Sequence, residues 1–150
     1  MAKKYILKES SISIYVGDDD TIAGSDWDEL PEVFNLEKGS QDVEEVDVTS
    51  FSSPGDARET LNGYKSFSDG TLEFYELIGD PIQQRVIDAL GGDPIPLRIE
   101  KTDGIKIKRI EFLALIKGES EPLAPGDAAS LAFTIKRTGP ATITVTNVTP

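Results

Sequence analysis

The residues that could do chemistry are almost all carboxylates. Asp18, Asp19 and Asp20 stand close to Asp26 and Asp28, a density of oxygen ligands that a hard cation could use. No register of that run puts a glycine sixth and a glutamate twelfth together, as a calcium-binding loop of the EF-hand type requires. The stretch therefore reads as a solvated acidic loop, and no metal site is expected. Glu73 with Glu76, and Glu44 with Glu45, are paired acids of the kind glycosidases use. A general acid needs a carboxyl pushed up by burial in a cleft, and alternating acids on an exposed sheet face are the ordinary explanation. Gly91-Gly92-Asp93 follows a predicted helix instead of opening one, so it is not a phosphate cradle. Arg58 is the one base between Val48 and Tyr64. Its planar fork suits bidentate carboxylate contacts at an interface. The alternative is an exposed loop arginine worth little to stability, and the residues alone leave the two readings open.

What is missing is as informative. The 150 residues contain no cysteine and no histidine, which excludes disulfides, thiol nucleophiles and imidazole bases. No catalytic residue and no cofactor is expected, and the chain reads as a non-enzyme. The formal net charge of −12 repels phosphate, so specific nucleic-acid binding through a basic patch is not expected. The N-terminus lacks an apolar signal segment and no run reaches transmembrane length, which predicts a protein made in the cytoplasm. Length and composition, with 38% hydrophobic and 28% charged residues, fit a single domain spanning 1–150.

The pattern of elements is β. Ser11–Val16 alternates, with Ile12, Ile14 and Val16 on one face, and residues 1–10 read as an extended N-terminal arm. Thr21–Glu32 is turn-rich, and Val33–Leu36 is a short strand. Glu44–Thr49 alternates Val46 and Val48 against acids. Ser50–Asp69 has no strong period and reads as a long loop, a length usually reserved for function. Thr71–Ile78 is a strand with apolar residues on both faces. Asp80–Leu90 is the one helix: Asp80 caps it, Pro81 takes the first helical position, Gln83 completes a capping box and Gly91-Gly92 stops it. Pro94–Thr102 and Ile105–Lys117 form a hairpin through Asp103-Gly104. The apolar phase changes within the second strand, which predicts a bulge near Lys108-Arg109. Ala129–Arg137 is a further strand, Thr138-Gly139-Pro140 a turn, and Thr142–Val145 a last strand with Ile143 and Val145 inward. About eight strands and one helix predict an all-β sandwich or partly closed barrel.

One order of motifs goes beyond pattern. Val48-Thr49-Ser50, Arg58, Gly63-Tyr64, Gly70-Thr71-Leu72-Glu73-Phe74 and Asp80 with Gln83 follow one another, and the Asp103-Gly104 hairpin and the Ala129–Arg137 strand come after them. This order resembles the tail-tube (major tail) proteins of long-tailed bacteriophages, which are related to the type VI secretion tube protein. The resemblance spans roughly Val33 to Val145. It implies a virion structural protein that self-assembles into hexameric rings stacked as a tube, through which DNA is ejected. It implies that Phe51, Arg58, Leu61 and Tyr64 anchor an inter-ring loop, and that Glu45, Asp47 and Glu73 line an acidic lumen that DNA phosphates do not adhere to. Its implied partners are other copies of the chain, a tape-measure protein, distal tail or baseplate proteins and a tail terminator, with no membrane. The location would be the host cytoplasm during assembly and then the virion tail.

Two rivals stand beside this reading. One is the tube of a tail-like bacteriocin or secretion system. The other is a β-sandwich module binding carbohydrate or peptide, for which Trp27 with Tyr15 is the only aromatic platform available.

Overall fold

The computed structural model describes residues 12–47 and 60–147, except the side chains of residues 46 and 60–62. Nine strands and one helix occupy them: β1 Ile12–Gly17, β2 Trp27–Glu29, β3 Val33–Glu37, β4 Gln41–Asp47, β5 Thr60–Phe67, β6 Gly70–Tyr75, α1 Pro81–Asp88, β7 Ile95–Thr102, β8 Lys106–Ser120 and β9 Ser130–Asn147. Seven strands make one antiparallel sheet in the order β2-β1-β7-β8-β9-β6-β3, and β4-β5 form a separate ribbon. The architecture is all-β and sandwich-like, without a closed barrel.

The sheet is curled around one core because each strand buries alternate residues on the same face. Ile14 and Val16, Leu97 and Ile99, Leu72 and Phe74, and Leu131, Phe133 and Ile135 all point inward. Phe74 and Phe133 stack at the centre, with ring centroids 5.6 Å apart. The curl brings β3 back towards β1, so that Ile12, Ile14, Val33 and Leu36 line one cleft between the two ends of the sheet. On the outer face, charges pair across the strands: Arg98 with Glu111 at 2.9 Å and Arg109 with Glu100 at 2.6 Å.

Helix α1 plugs one end. The Asp80 carboxylate accepts from the Ile82 and Gln83 amides, as an N-cap should. The expected reciprocal half of a capping box does not form, because Gln83 turns inward and is only 1% exposed. Its side chain accepts from the Leu77 amide at 2.8 Å and donates to the Tyr75 and Pro31 carbonyls. Gln83 thus ties the helix to the end of β6 and to the turn before β3. Arg85 reaches Asp28 at 2.8 Å, and the Gly91 amide bonds to the Ile116 carbonyl.

Several expectations are corrected. Residues 60–67 are not loop but strand β5, paired with β4. Alternation failed to reveal it because its described side chains are largely exposed: Tyr64 is 85% exposed, and Lys65 and Ser66 are exposed beside it. No bulge interrupts the β7-β8 register at Lys108-Arg109. The phase change marks the point where Ile110 begins the buried row, while Ile105 lies exposed in the hairpin turn. The register shifts of β8 fall against β9 instead, at Glu111/Leu113 and Ile116/Gly118. Thr138-Gly139-Pro140 does not end a strand. It is the outer side of the first of those shifts, with Gly139 at φ +76, and β9 continues through it to Asn147. Ile143 and Val145 are 59% and 58% exposed, although they pair with Ile110 and Lys108 on the core side of the sheet. Among the described residues nothing fills the end of the sheet they occupy.

Candidate assembly surfaces

The β4-β5 ribbon is an arm. It continues the β3-β6 pair beyond the body, and a two-stranded ribbon of this kind is marginal on its own in water. The junction is a tight crossing. A Cβ on Gly70 would collide with the backbone of Glu37 and Gly39, and Gly39 adopts φ +83. Both positions therefore require glycine. Beside them, the Ser40 amide donates to the Ser68 hydroxyl at 2.7 Å, and the Ser68 amide donates to the Ser40 carbonyl at 2.9 Å. The clasp sets the direction in which the arm leaves the body.

Along the arm, β4 carries acids on both faces. Asp42 and Glu44 alternate with Glu45 and Asp47, and all four are exposed. Opposite Glu44, the register with β5 shifts so that Gly63 and Tyr64 together face one residue. Tyr64 and Leu61, expected as loop anchors, are thus strand residues. Phe51 and Arg58 lie outside the described residues. Glu73 sits on β6, away from the arm, half-buried, and accepts from the Asn35 side chain at 3.2 Å. The structure therefore keeps Glu45 and Asp47 together but separates Glu73 from them.

Among the described residues the sheet has two edges that are not fully paired. Strand β2 is three residues long and pairs with Tyr15–Gly17 of β1, the Leu30 amide beyond it donating to the Ile14 carbonyl at 2.8 Å, so that among the described residues Ile12 and Ser13 have no neighbour on that side. At the other end, β3 has no strand partner beyond β6 among the described residues. Open edges invite pairing with another chain. Near the second edge Phe34 and Tyr75 form an exposed aromatic pair at 4.5 Å.

The remaining candidates have local explanations. In the acidic loop the Asp18 carboxylate accepts from the Asp26 amide and the Asp19 carboxylate from the Asp20 amide, so these groups order their own loop. Among the described residues no three acids are grouped to hold a metal ion. Trp27 is roofed by the Arg98 guanidinium at 4.5 Å, a cation–π contact that occupies one face of the ring. Burial, and then the Glu100 carboxylate, push the Tyr15 phenol above its ordinary pKa. Among the described residues no helix is long and apolar enough to cross a membrane.

This fold is shared with solved structures of tube components of phage-like and injection-system assemblies. The chain matches a structure of the sheath/tube terminator of an extracellular contractile injection system with a TM-score of 0.67, at 12% identity, covering 95% of this chain and 99% of that one. It matches a chain in the virion of a native gene transfer agent particle with a TM-score of 0.64, at 17% identity over 93% and 99%. It matches the SPP1 tail tube with a TM-score of 0.64, at 15% identity over 92% and 78%. No family model and no curated protein sequence matches. The structural likeness falls on the same group of proteins as the order of sequence motifs, and at these identities it establishes the fold.

Proposed function

We propose that this protein is a structural tube subunit without enzymatic activity. It self-assembles into rings, six subunits in each, that stack into a phage tail tube serving as a conduit for DNA ejection. The observation that carries this reading is a body that, among the described residues, leaves both sheet edges open and an exposed arm, within a fold shared with tube proteins. Ring closure removes the edges, and head-to-tail contacts close into rings or propagate as filaments. Glu45 and Asp47 supply lumen charge from the arm, and Glu73 does so from β6. Phe51, Arg58, Leu61 and Tyr64 contribute to contacts with the neighbouring ring. Tape-measure, distal tail or baseplate and terminator proteins are its partners, and it passes from the host cytoplasm to the virion tail. The match to a contractile injection system supports a second reading of the same kind, the inner tube of such a system.

Electron microscopy of the purified protein at rising concentration, in low and high salt, tests the proposal. Hollow tubes or stacked rings are expected. Arg58→Ala, or deletion of residues 53–62, is expected to leave a folded subunit that forms no tubes. Normal tubes from both changes would refute the assignment of this segment to ring contacts.

A further inference from the structure

Among the described residues the end of the curled sheet opposite the helix is an open mouth, and its lining is basic. Across β1, β7, β8 and β9 the core-facing rows can be followed by register. One row is Ile14, Ile99, Ile110 and Ile143, and the next towards the mouth is Ile12, Lys101, Lys108 and Val145. Two lysines thus stand directly opposite each other where the aliphatic ladder would continue, a pairing that destabilises a sheet. Arg137 extends the inward row of β9 past Ile135. It is only 7% exposed, lies over the Phe67 ring at 4.5 Å, and its Nε has no hydrogen-bond partner. Lys38, at the root of the arm, completes the group. Burial and then the charges of Arg137, Lys101 and Lys108 hold its pKa below the ordinary lysine value.

None of these four cations is paired with a carboxylate among the described residues. The four ion pairs there involve Arg85, Arg98, Arg109 and Lys117. Acids outnumber bases 27 to 15 in this chain, so four cations that meet at one opening, unmatched among the described residues, suit a carboxylate surface on another copy. An uncompensated buried guanidinium is costly, and the cost is recovered when a partner supplies the anion.

We propose that this mouth receives the arm of a second copy of the chain, with Asp42 and Glu44 of one subunit pairing with Lys101 and Lys108 of its neighbour. The complementarity is specific to the arm. Asp42 and Glu44 share one face of β4, are exposed, and have no ion pair with the mouth of their own subunit. The exposed Ile143 and Val145 add apolar surface beside the lysines of the mouth. The contact joins two different surfaces, so it propagates from subunit to subunit. Glu45 and Asp47 lie on the other face of β4. The inference rests on the tube reading and names the partner surface of the arm.

The test is a charge swap in the full chain. Wild type, D42K/E44K, K101E/K108E and the quadruple variant are compared by sedimentation and electron microscopy, reading the critical concentration for assembly. Each reversal is expected to raise it about tenfold or more, and the quadruple variant to return it to the wild-type value. Lys108→Glu alone, at an exposed position, is expected to raise the melting temperature of the isolated subunit by about 1–3 °C, because it relieves the repulsion with Lys101. If a double variant misfolds, Lys108→Glu against Glu44→Lys carries the same swap. Reversals without effect, or a quadruple variant no better than its parents, overturn the pairing while tubes of wild type keep the tube reading intact. A wild type that never assembles sinks both.

Discussion

Replacing Gln83 by leucine isolates the joint between helix and sheet. Leucine fills nearly the same volume in a site that is 1% exposed, so little cavity is created. What is lost is the side-chain partner of three backbone groups: the Leu77 amide and the Tyr75 and Pro31 carbonyls. Leaving a buried polar group unsatisfied costs about 1–3 kcal/mol. These three groups lie at a part-exposed joint where water can partly replace the glutamine, so the lower end applies, about 3 kcal/mol in all. Burying the added apolar surface returns about 1 kcal/mol, for a net loss of about 2 kcal/mol. Urea unfolding of the subunit should show this as a lower midpoint at unchanged slope, and the melting temperature should fall by about 4–8 °C. Hydrogen exchange gives the local readout, with the Leu77 amide losing protection well before the amides of β8. An unchanged midpoint, or a Leu77 amide as protected as before, would refute the account of Gln83 as the tie.

Gly70→Ala places a methyl against the backbone of Glu37 and Gly39, where neither side can yield as a side chain would. A loss of about 2 kcal/mol, with shifted amide resonances along β4 and β5, is expected; Gly92→Ala, whose Cβ would meet only ordinary contacts, is the control and should stay within about 0.5 kcal/mol. A Gly70→Ala subunit as stable as the control would remove the clasp as the determinant of arm direction. The Asp103 carboxyl is held below its usual pKa, chiefly by accepting from the Lys106 and Ile105 amides in the β7-β8 turn. Its folded pKa lies below the unfolded one, so the order it lends the turn is present above the unfolded value and is lost as pH falls through the folded value. An NMR titration following the Ile105 and Lys106 amides should show them moving together, at a pH below that of an unperturbed aspartate. A midpoint at or above the ordinary aspartate value would contradict the geometry.

Much of the body was legible in the sequence wherever local chemistry and burial agree. Asp80-Pro81 started the helix, the alternation of Ile12, Ile14 and Val16 marked β1, and Asp103-Gly104 marked the hairpin, because capping, alternation and turn preference act within a few residues. The excess of carboxylates and the absence of histidine and cysteine already turned the reading away from catalysis. The order of motifs pointed to the tail-tube fold that the structure displays. Alternation reports burial and not strandness, however, so β5 went unseen. Its partner β4 gives it hydrogen bonds but leaves its described side chains largely exposed. In the same way Gly139-Pro140 signals a turn in isolation, whereas the long β8 beside it holds β9 on course and absorbs those residues as a bulge. The basic mouth lay furthest from reach. Lys38, Lys101, Lys108 and Arg137 are scattered over a hundred residues, and each alone reads as an ordinary surface charge. Only the pairing register and the curl of the sheet set them side by side. Long-range register is a tertiary property, and it is where this chain keeps the surface most suited to binding another copy.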